Sequence, residues 1–229
     1  MNVMIGSGRL AETLLYFWKE KEPVAIYSRN EQTALQLKQK YSFVRYWSKE
    51  ELRSATRLFL CLPKEGYVDF FAEMNDVLKA DVEVIHMATA LMSADVRKWC
   101  SFDKIIACKL AGHAKEAIAQ KEMTLVLPIE SQFFKRTLEP LFSKEVRIVI
   151  GTEVDIRRTN QLATKMTLQL IQSFEQQWQE QGLPKELFES TAKQIICGVN
   201  KAYFAGDLGG FAKKIKDQLE QEKSDDSIR

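Results

Sequence analysis

The sequence predicts an α/β fold in which a doubly wound parallel sheet is followed by a small all-helical second domain. Three observations carry that prediction. Through the first two thirds of the 229 residues, short apolar runs alternate with amphipathic stretches. Two glycines stand between the first apolar run and the first amphipathic one. From Glu153 onward no strand candidate remains.

Taken in order, "NVMIGSG" reads as a strand, "RLAETLLYFWKEK" as a helix, "PVAIYS" as a strand, "EQTALQLKQKY" as a helix and "FVRYW" as a short strand. "SKEELRSA" opens on Ser48 with Glu51 three residues later, the capping-box spacing that predicts a helix start. "RLFLCLP" reads as a buried strand, "GYVDFFAEMNDVLKA" as a helix, "VEVIHMA" as a strand, "SADVRKWC" as a helix and "KIIACKL" as a strand. "MTLVLP" and "VRIVIG" add two further strand candidates. Strands alternating with helices imply right-handed crossovers and therefore a parallel sheet.

The character changes near Gly151, which divides the chain into a domain over residues 1–152 and a helical domain over residues 153–229. In the first helical stretch Ala163, Met166, Thr167, Leu170, Ile171, Phe174 and Trp178 share one face, opposite Gln169, Gln172, Gln176 and Gln179. "GLP" at 182–184 is a stop and a restart. Leu187, Phe188, Thr191, Ala192, Ile195, Ile196, Val199 and Tyr203 then form a second stripe at helical spacing. Stripes this wide must be buried against the sheet domain and a second copy of the chain, which predicts a homodimer through the helical domain. The tail "EQEKSDDSIR" reads as polar and frayed.

Composition narrows the function. A content of 45% hydrophobic and 28% charged residues is that of a soluble globular protein, and a formal net charge of +2 gives no electrostatic footprint for nucleic acid. No apolar stretch approaches the ~20 residues of a membrane span, and the N-terminal run lacks the marks of a signal peptide, so a cytoplasmic location is expected. Cys61, Cys100, Cys108 and Cys197 form no C-x-x-C pair, and with only His86 and His113 no metal centre is expected.

The stretch "VMIGSGRLAETLL" carries G-x-G-x-x-A between the first strand and first helix, the context of a Rossmann dinucleotide site. Gly6 allows the tight turn, Gly8 lets a pyrophosphate approach the backbone, and small Ala11 lets helix and strand pack closely. Ser7, Arg9 and Leu10 complete the turn, with Arg9 either touching phosphate or facing water. The helix start adds unpaired N–H groups and the positive end of its dipole. The second strand ends in "YSRN", with no carboxylate before it. An NAD site usually carries an acidic residue there, whereas Ser28, Arg29 and Asn30 offer donors to the 2′-phosphate of NADP. The alternative for Arg29 is a solvated surface charge.

"IGSGRLAETLL" followed by "YSRN" resembles the start of pyrroline-5-carboxylate reductase. "FLCLPKE", "VIHMATAL", "KIIACKLAGHA" with "MTLVLPIE", and "QGLPKELFESTAKQIICG" resemble later parts of that family, so the likeness runs over nearly the whole chain. It implies that backbone around Leu62, Pro63 and Lys64 contacts the cofactor, with Ala88 and Thr89 lining the nicotinamide side. The residues themselves show only strand ends, where open parallel sheets bind ligands. The likeness weakens in the substrate half. The family's serine- and glycine-rich run ending in Pro-Ala appears here as "NQLATK", residues 160–165, and its Met-Pro-Asn appears as "KLA", residues 109–111. The C-terminal part is shortened relative to the family.

For catalysis, Asn160 and Thr164 stand four apart and share a helix face, while Lys165 points toward the glutamine side. Lys109 or His113 could supply a proton, the alternative being that both are loop residues without a chemical role. The expected function is an NADP-dependent oxidoreductase resembling pyrroline-5-carboxylate reductase, transferring hydride to a small imine or carbonyl substrate. The alternative is a non-catalytic NADP-binding regulatory or sensor protein. A purely structural helical module would leave the glycine turn without a purpose.

Overall fold

The structure, a computed structural model, describes residues 1–226, with side chains to residue 222. The first strands and helices follow in alternation: β1 (Asn2–Ile5), α1 (Arg9–Tyr16), β2 (Val24–Tyr27), α2 (Glu31–Lys40), β3 (Val44–Tyr46), β4 (Arg57–Leu60), α3 (Lys64–Met74), β5 (Glu83–His86), α4 (Ser93–Val96) and β6 (Ile105–Ala107). They build a six-stranded, wholly parallel sheet in the order β3-β2-β1-β4-β5-β6, the doubly wound arrangement that the alternation predicts. Side chains alternate across its pleat. Met4, Ile26, Phe59 and Ile85 pack on one face with Leu14 and Leu15 of α1. Val3, Ile5, Leu58, Leu60 and Val84 pack on the other with Tyr67 and Phe71 of α3. Burial on both faces explains why these strands read as continuous apolar runs.

Two stretches differ from the sequence reading. "SKEELRSA" forms a 3₁₀ turn over Glu50–Ser54 in place of an α-helix. The Ser48 N–H does donate to the Glu51 carboxylate at 2.7 Å, as a capping box requires. Leu52 and Ala55 are already buried and β4 begins at Arg57, so the connection has no length for a full helix. "KIIACKL" is two strands. The Cys108 N–H makes the last rung to the His86 carbonyl at 3.0 Å, after which β7 (Lys109–Leu110) leaves the parallel sheet. It pairs antiparallel with β8 (Met123–Pro128), and β8 pairs parallel with β9 (Val146–Gly151) in a separate three-stranded sheet. The short helices α5 (Ala114–Gln120) and α6 (Lys135–Leu138) lie in the connections of this sheet.

The chain forms two compact units, Met1–Leu162 and Ala163–Arg229. Helix α7 (Glu153–Glu180) starts where the hydrophobic pattern changes and belongs to both. Buried Ile156 and the Asn160 side chain, which donates to the Leu110 carbonyl at 2.9 Å, tie its first turns to the sheet unit. The second unit continues through α8 (Lys185–Thr191), a π-helical stretch Ala192–Ile196, α9 (Cys197–Ala205) and α10 (Gly210–Asp226). Within it Phe174, Trp178 and Phe188 pack as a ring cluster, with centroids 5.4–5.8 Å apart. Other members of the predicted stripes, including Met166, Leu170, Ile195 and Tyr203, are exposed, as are Phe204 and Phe211. The tail expected to fray continues as helix to Asp226, and its last three residues, 227–229, lie outside the described residues. Among the described residues no helix is long and apolar enough to cross a membrane.

Candidate functional site

The site begins at the turn between β1 and α1. Gly6 has φ +99°, a left-handed conformation that favours glycine. A Cβ there would stand 2.8 Å from the Cys61 carbonyl oxygen at the end of β4, so β1 and β4 also demand its bareness. Gly8 differs. It adopts ordinary extended backbone as the N-cap of α1, and a Cβ built on it would meet nothing within 4 Å. Its bareness is unused by the protein and leaves open space against the first N–H groups of α1. Ala11 is fully buried against the core, the close helix–strand packing that the motif predicts.

This turn forms one wall of a cleft of about 330 Å³. Of the residues singled out in the sequence, Gly6, Ser7, Gly8, Ser28, Arg29, Asn30, Leu62 and Pro63 line it. Arg9 and Lys64 are exposed at the first residues of α1 and α3, Leu10 packs against the core, and Ala88 and Thr89 lie beyond this cleft in the segment after β5. At the end of β2, Ser7 Oγ donates to Ser28 Oγ at 3.0 Å and also meets Thr33 Oγ1. Asn30 caps α2 by accepting from the Thr33 N–H at 3.2 Å. Three hydroxyls and the start of a helix thus converge beside Arg29, whose guanidinium pairs with Asp69 on α3 at 3.0 Å. The cluster could hold a phosphate, by neutral donors, helix dipole and one cation. Thr33 escaped the sequence reading, although Asn30 three residues before it is a cap spacing that marks it. The wall formed by Phe70, Glu73 and Met74 of α3 escaped too, because its residues read only as a helix face.

The catalytic candidates are distributed differently. Lys109 is 1% exposed, and its ammonium donates to the Leu91 carbonyl and lies 2.8 Å from Glu153. Glu153 accepts from the Ser93 N–H at 3.0 and 3.1 Å and from Ser93 Oγ at 2.5 Å. His86 Nε2 lies 3.0 Å from Ser93 Oγ and 3.4 Å from Glu153. Because Ser93 Oγ donates to Glu153, the bond from the imidazole runs from Nε2–H to the serine oxygen. Burial alone would raise the Glu153 carboxyl, but hydrogen bonds from His86, Lys109 and Ser93 pull it well below the ordinary carboxylate range. Burial lowers both His86 and Lys109. The imidazole is therefore neutral, and the cluster holds one carboxylate against one ammonium. Asn160 joins the same neighbourhood through the Leu110 carbonyl, whereas Thr164 belongs to the second unit. His113 is the exposed N-cap of α5 and lines a separate hollow of about 290 Å³ with Gly112 and Glu116. Glu153 and Ser93 carry no local signal in the sequence, because they become partners only through the fold.

Neither a protein-family model nor a curated protein matches this sequence. Solved structures do match. A pyrroline-5-carboxylate reductase from Coxiella burnetii aligns with a TM-score of 0.64 at 13% identity, covering 99% of this chain and 89% of its own. A Plasmodium falciparum pyrroline carboxylate reductase with NADP bound gives 0.61 at 14% identity, over 95% of this chain and 83% of that one. An imine reductase from Bacillus cereus gives 0.60 at 15% identity, over 96% and 77%. The chain shares their fold, a parallel dinucleotide-type sheet followed by a helical region.

Proposed function

We propose that the chain is an NADP-dependent oxidoreductase that transfers hydride to a small imine or carbonyl compound in the cytoplasm. The observation that carries the reading is the pairing of Gly8, bare toward open space, with Ser7, Ser28 and Arg29 across one cleft, Thr33 bonding to Ser7 behind them. The α1 N–H groups at Gly8 would hold the pyrophosphate, and the hydroxyls with Arg29 would hold the 2′-phosphate. Leu62 and Pro63 would carry the cofactor along the end of β4, toward Ala88 and Thr89 after β5. The nicotinamide supplies the hydride, so the chain has to bind, orient and exclude water. The similar structures include reductases of imines and of pyrroline-5-carboxylate, and one of them holds NADP, which supports this class.

A second reading, a non-catalytic NADP-binding sensor, is favoured by one observation. Lys109 and Asn160 are both engaged in bonds to the protein's own backbone, and neither lines the cleft. We also propose a homodimer through the helical region, which would cover its exposed apolar side chains. Thermal-shift titration with NADPH and with NADH, followed by turnover on 1-pyrroline-5-carboxylate and a panel of cyclic imines, tests the assignment. Stabilisation by NADPH with turnover supports the reductase, stabilisation without turnover the sensor, and no stabilisation by either cofactor overturns both.

A further inference from the structure

The segment Met87–Met92 leaves the carboxyl end of β5 and returns into α4, and three buried side chains that do not line the cleft hold its two ends. At its start, the Tyr67 hydroxyl donates to the Leu60 carbonyl at 3.0 Å and accepts from the N–H groups of Met87 and Ala88 at 3.1 and 3.2 Å. At its far end the Lys109 ammonium takes the Leu91 carbonyl and the Glu153 carboxylate takes both donors of Ser93. A turn from the Leu91 N–H to the Ala88 carbonyl, 3.2 Å, closes the segment between these two anchors. Ala88 and Thr89, half-buried, lie between the anchors.

We propose that Glu153 and Lys109 are positioning residues: as an ion pair they fix the segment 87–92 at the end of β5, and with it the surface against which the reactive end of the cofactor lies. The pair comes from β7 and the first residue of α7, and its partners come from β5, the segment itself and the start of α4. Burying two charges is unfavourable, and a packed apolar cluster of the same volume would be as stable or more so. What the ion pair adds is directionality. An ammonium aimed at one carbonyl and a carboxylate aimed at one N–H each admit a single backbone position, whereas apolar packing tolerates sliding. Parallel sheets bind ligands beyond the carboxyl ends of their strands, so a segment pinned there is held where its position affects the bound molecule. The same pair ties the first turn of α7 to that segment, because Glu153 is the first residue of the helix. The pinning follows from these hydrogen bonds, while its catalytic consequence rests on the reductase reading above.

The test is hydrogen exchange on the parent and on the double variant Lys109→Met/Glu153→Gln, which removes both charges together and leaves neither unpaired. The Leu91 and Ser93 amides are expected to exchange at least tenfold faster in the variant, with Met87 and Ala88, held by Tyr67, and peptides covering β1, α1 and β4 unchanged. Equal exchange at Leu91 and Ser93, or a loss of protection spread evenly over the sheet, overturns the proposal. Glu153→Asp, which keeps the charge on a shorter arm, is expected to fall between the two. The catalytic arm counts sites by the stoichiometry of NADPH binding. Turnover per titrated site is expected to drop at least tenfold while NADPH affinity stays within twofold, because the glycine turn and the hydroxyl cluster are untouched. Unchanged turnover per site overturns the catalytic consequence. A parent that binds no NADPH overturns the reductase reading and leaves the exchange result to decide the pinning.

Discussion

The two glycines of the first turn should separate when each is given a side chain, because one is required by the fold and the other, under the proposed function, by a ligand. Gly6 sits at φ +99° with the Cys61 carbonyl oxygen 2.8 Å from where its Cβ would be. A non-glycine residue held in a sparsely populated backbone region costs about 1–3 kcal/mol, and the contact is with backbone at the end of a central strand, which cannot swing aside. Gly6→Ala should therefore lose roughly 2–4 kcal/mol, which for a chain of this size lowers Tm by about 5–15 °C. Gly8 has allowed backbone and empty space ahead of it, so Gly8→Val should change stability by no more than about 1 kcal/mol, the helix-cap preference of glycine over an apolar residue. The isopropyl group would occupy the space in which a pyrophosphate meets the α1 N–H groups. Losing two charge-assisted bonds of about 1.5–3 kcal/mol each lowers NADPH affinity at least a hundredfold. Thermal melts and isothermal titration on both variants decide the matter. If Gly8→Val melts like the parent and binds NADPH as tightly, the pocket assignment is wrong; if Gly6→Ala melts like the parent, the packing argument is wrong.

Further outcomes are expected at the hydroxyl cluster, the buried ion pair and the helical region. Arg29→Asp removes a charge-assisted contact and sets a carboxylate against the 2′-phosphate, so NADPH affinity should fall at least ~10-fold while NADH affinity holds. Asp69→Asn frees Arg29 from an exposed pair that contributes only about 0–1 kcal/mol, and should raise NADPH affinity by a few-fold. Parallel small changes in both cofactors, read by titration calorimetry, would end the NADP assignment. Stability should fall on acidification. Burial holds His86 below its ordinary 6.5, so the unfolded chain takes up a proton there that the folded chain refuses as pH drops through that value. Glu153, held below its ordinary 4.5 by its hydrogen bonds, contributes stability that is present above pH 4.5 and lost below it. Lys109, lowered by burial, acts in the same sense only in the window below its ordinary 10.5, above the acid range. Denaturant midpoints that stay flat or rise between about pH 7 and 4 would refute the neutral imidazole and the hydrogen-bonded carboxylate. Light scattering at micromolar concentration should give twice the mass of one chain, with Phe204 and Phe211, 81% and 82% exposed in the single chain, as contact residues. Phe204→Asp should then give the monomer, and a monomeric parent would remove the dimer.

How much of this was legible in the sequence depended on whether the signal was local. The six parallel strands and the turn at Gly6 were legible, because apolar runs alternating with amphipathic stretches and glycines at fixed spacing are written into neighbouring residues. Ser28, Arg29 and Asn30 were legible for the same reason, each following directly on the second strand. The split of "KIIACKL" was not. A single apolar run gives no sign that Cys108 makes a last rung to His86 while the next two residues turn to β8, since both partners lie far along the chain. Lys109 illustrates the wider difficulty. A lysine just after a strand end reads as a proton donor when its surroundings are unknown. Its surroundings are Glu153 and the Leu91 carbonyl, with almost no exposure to solvent. A buried ammonium of that kind moves protons poorly and holds geometry well, because its charge is committed to a fixed acceptor. The lysine itself is visible in the sequence, whereas the positioning role proposed for it rests on a carboxylate that the fold brings from 44 residues away.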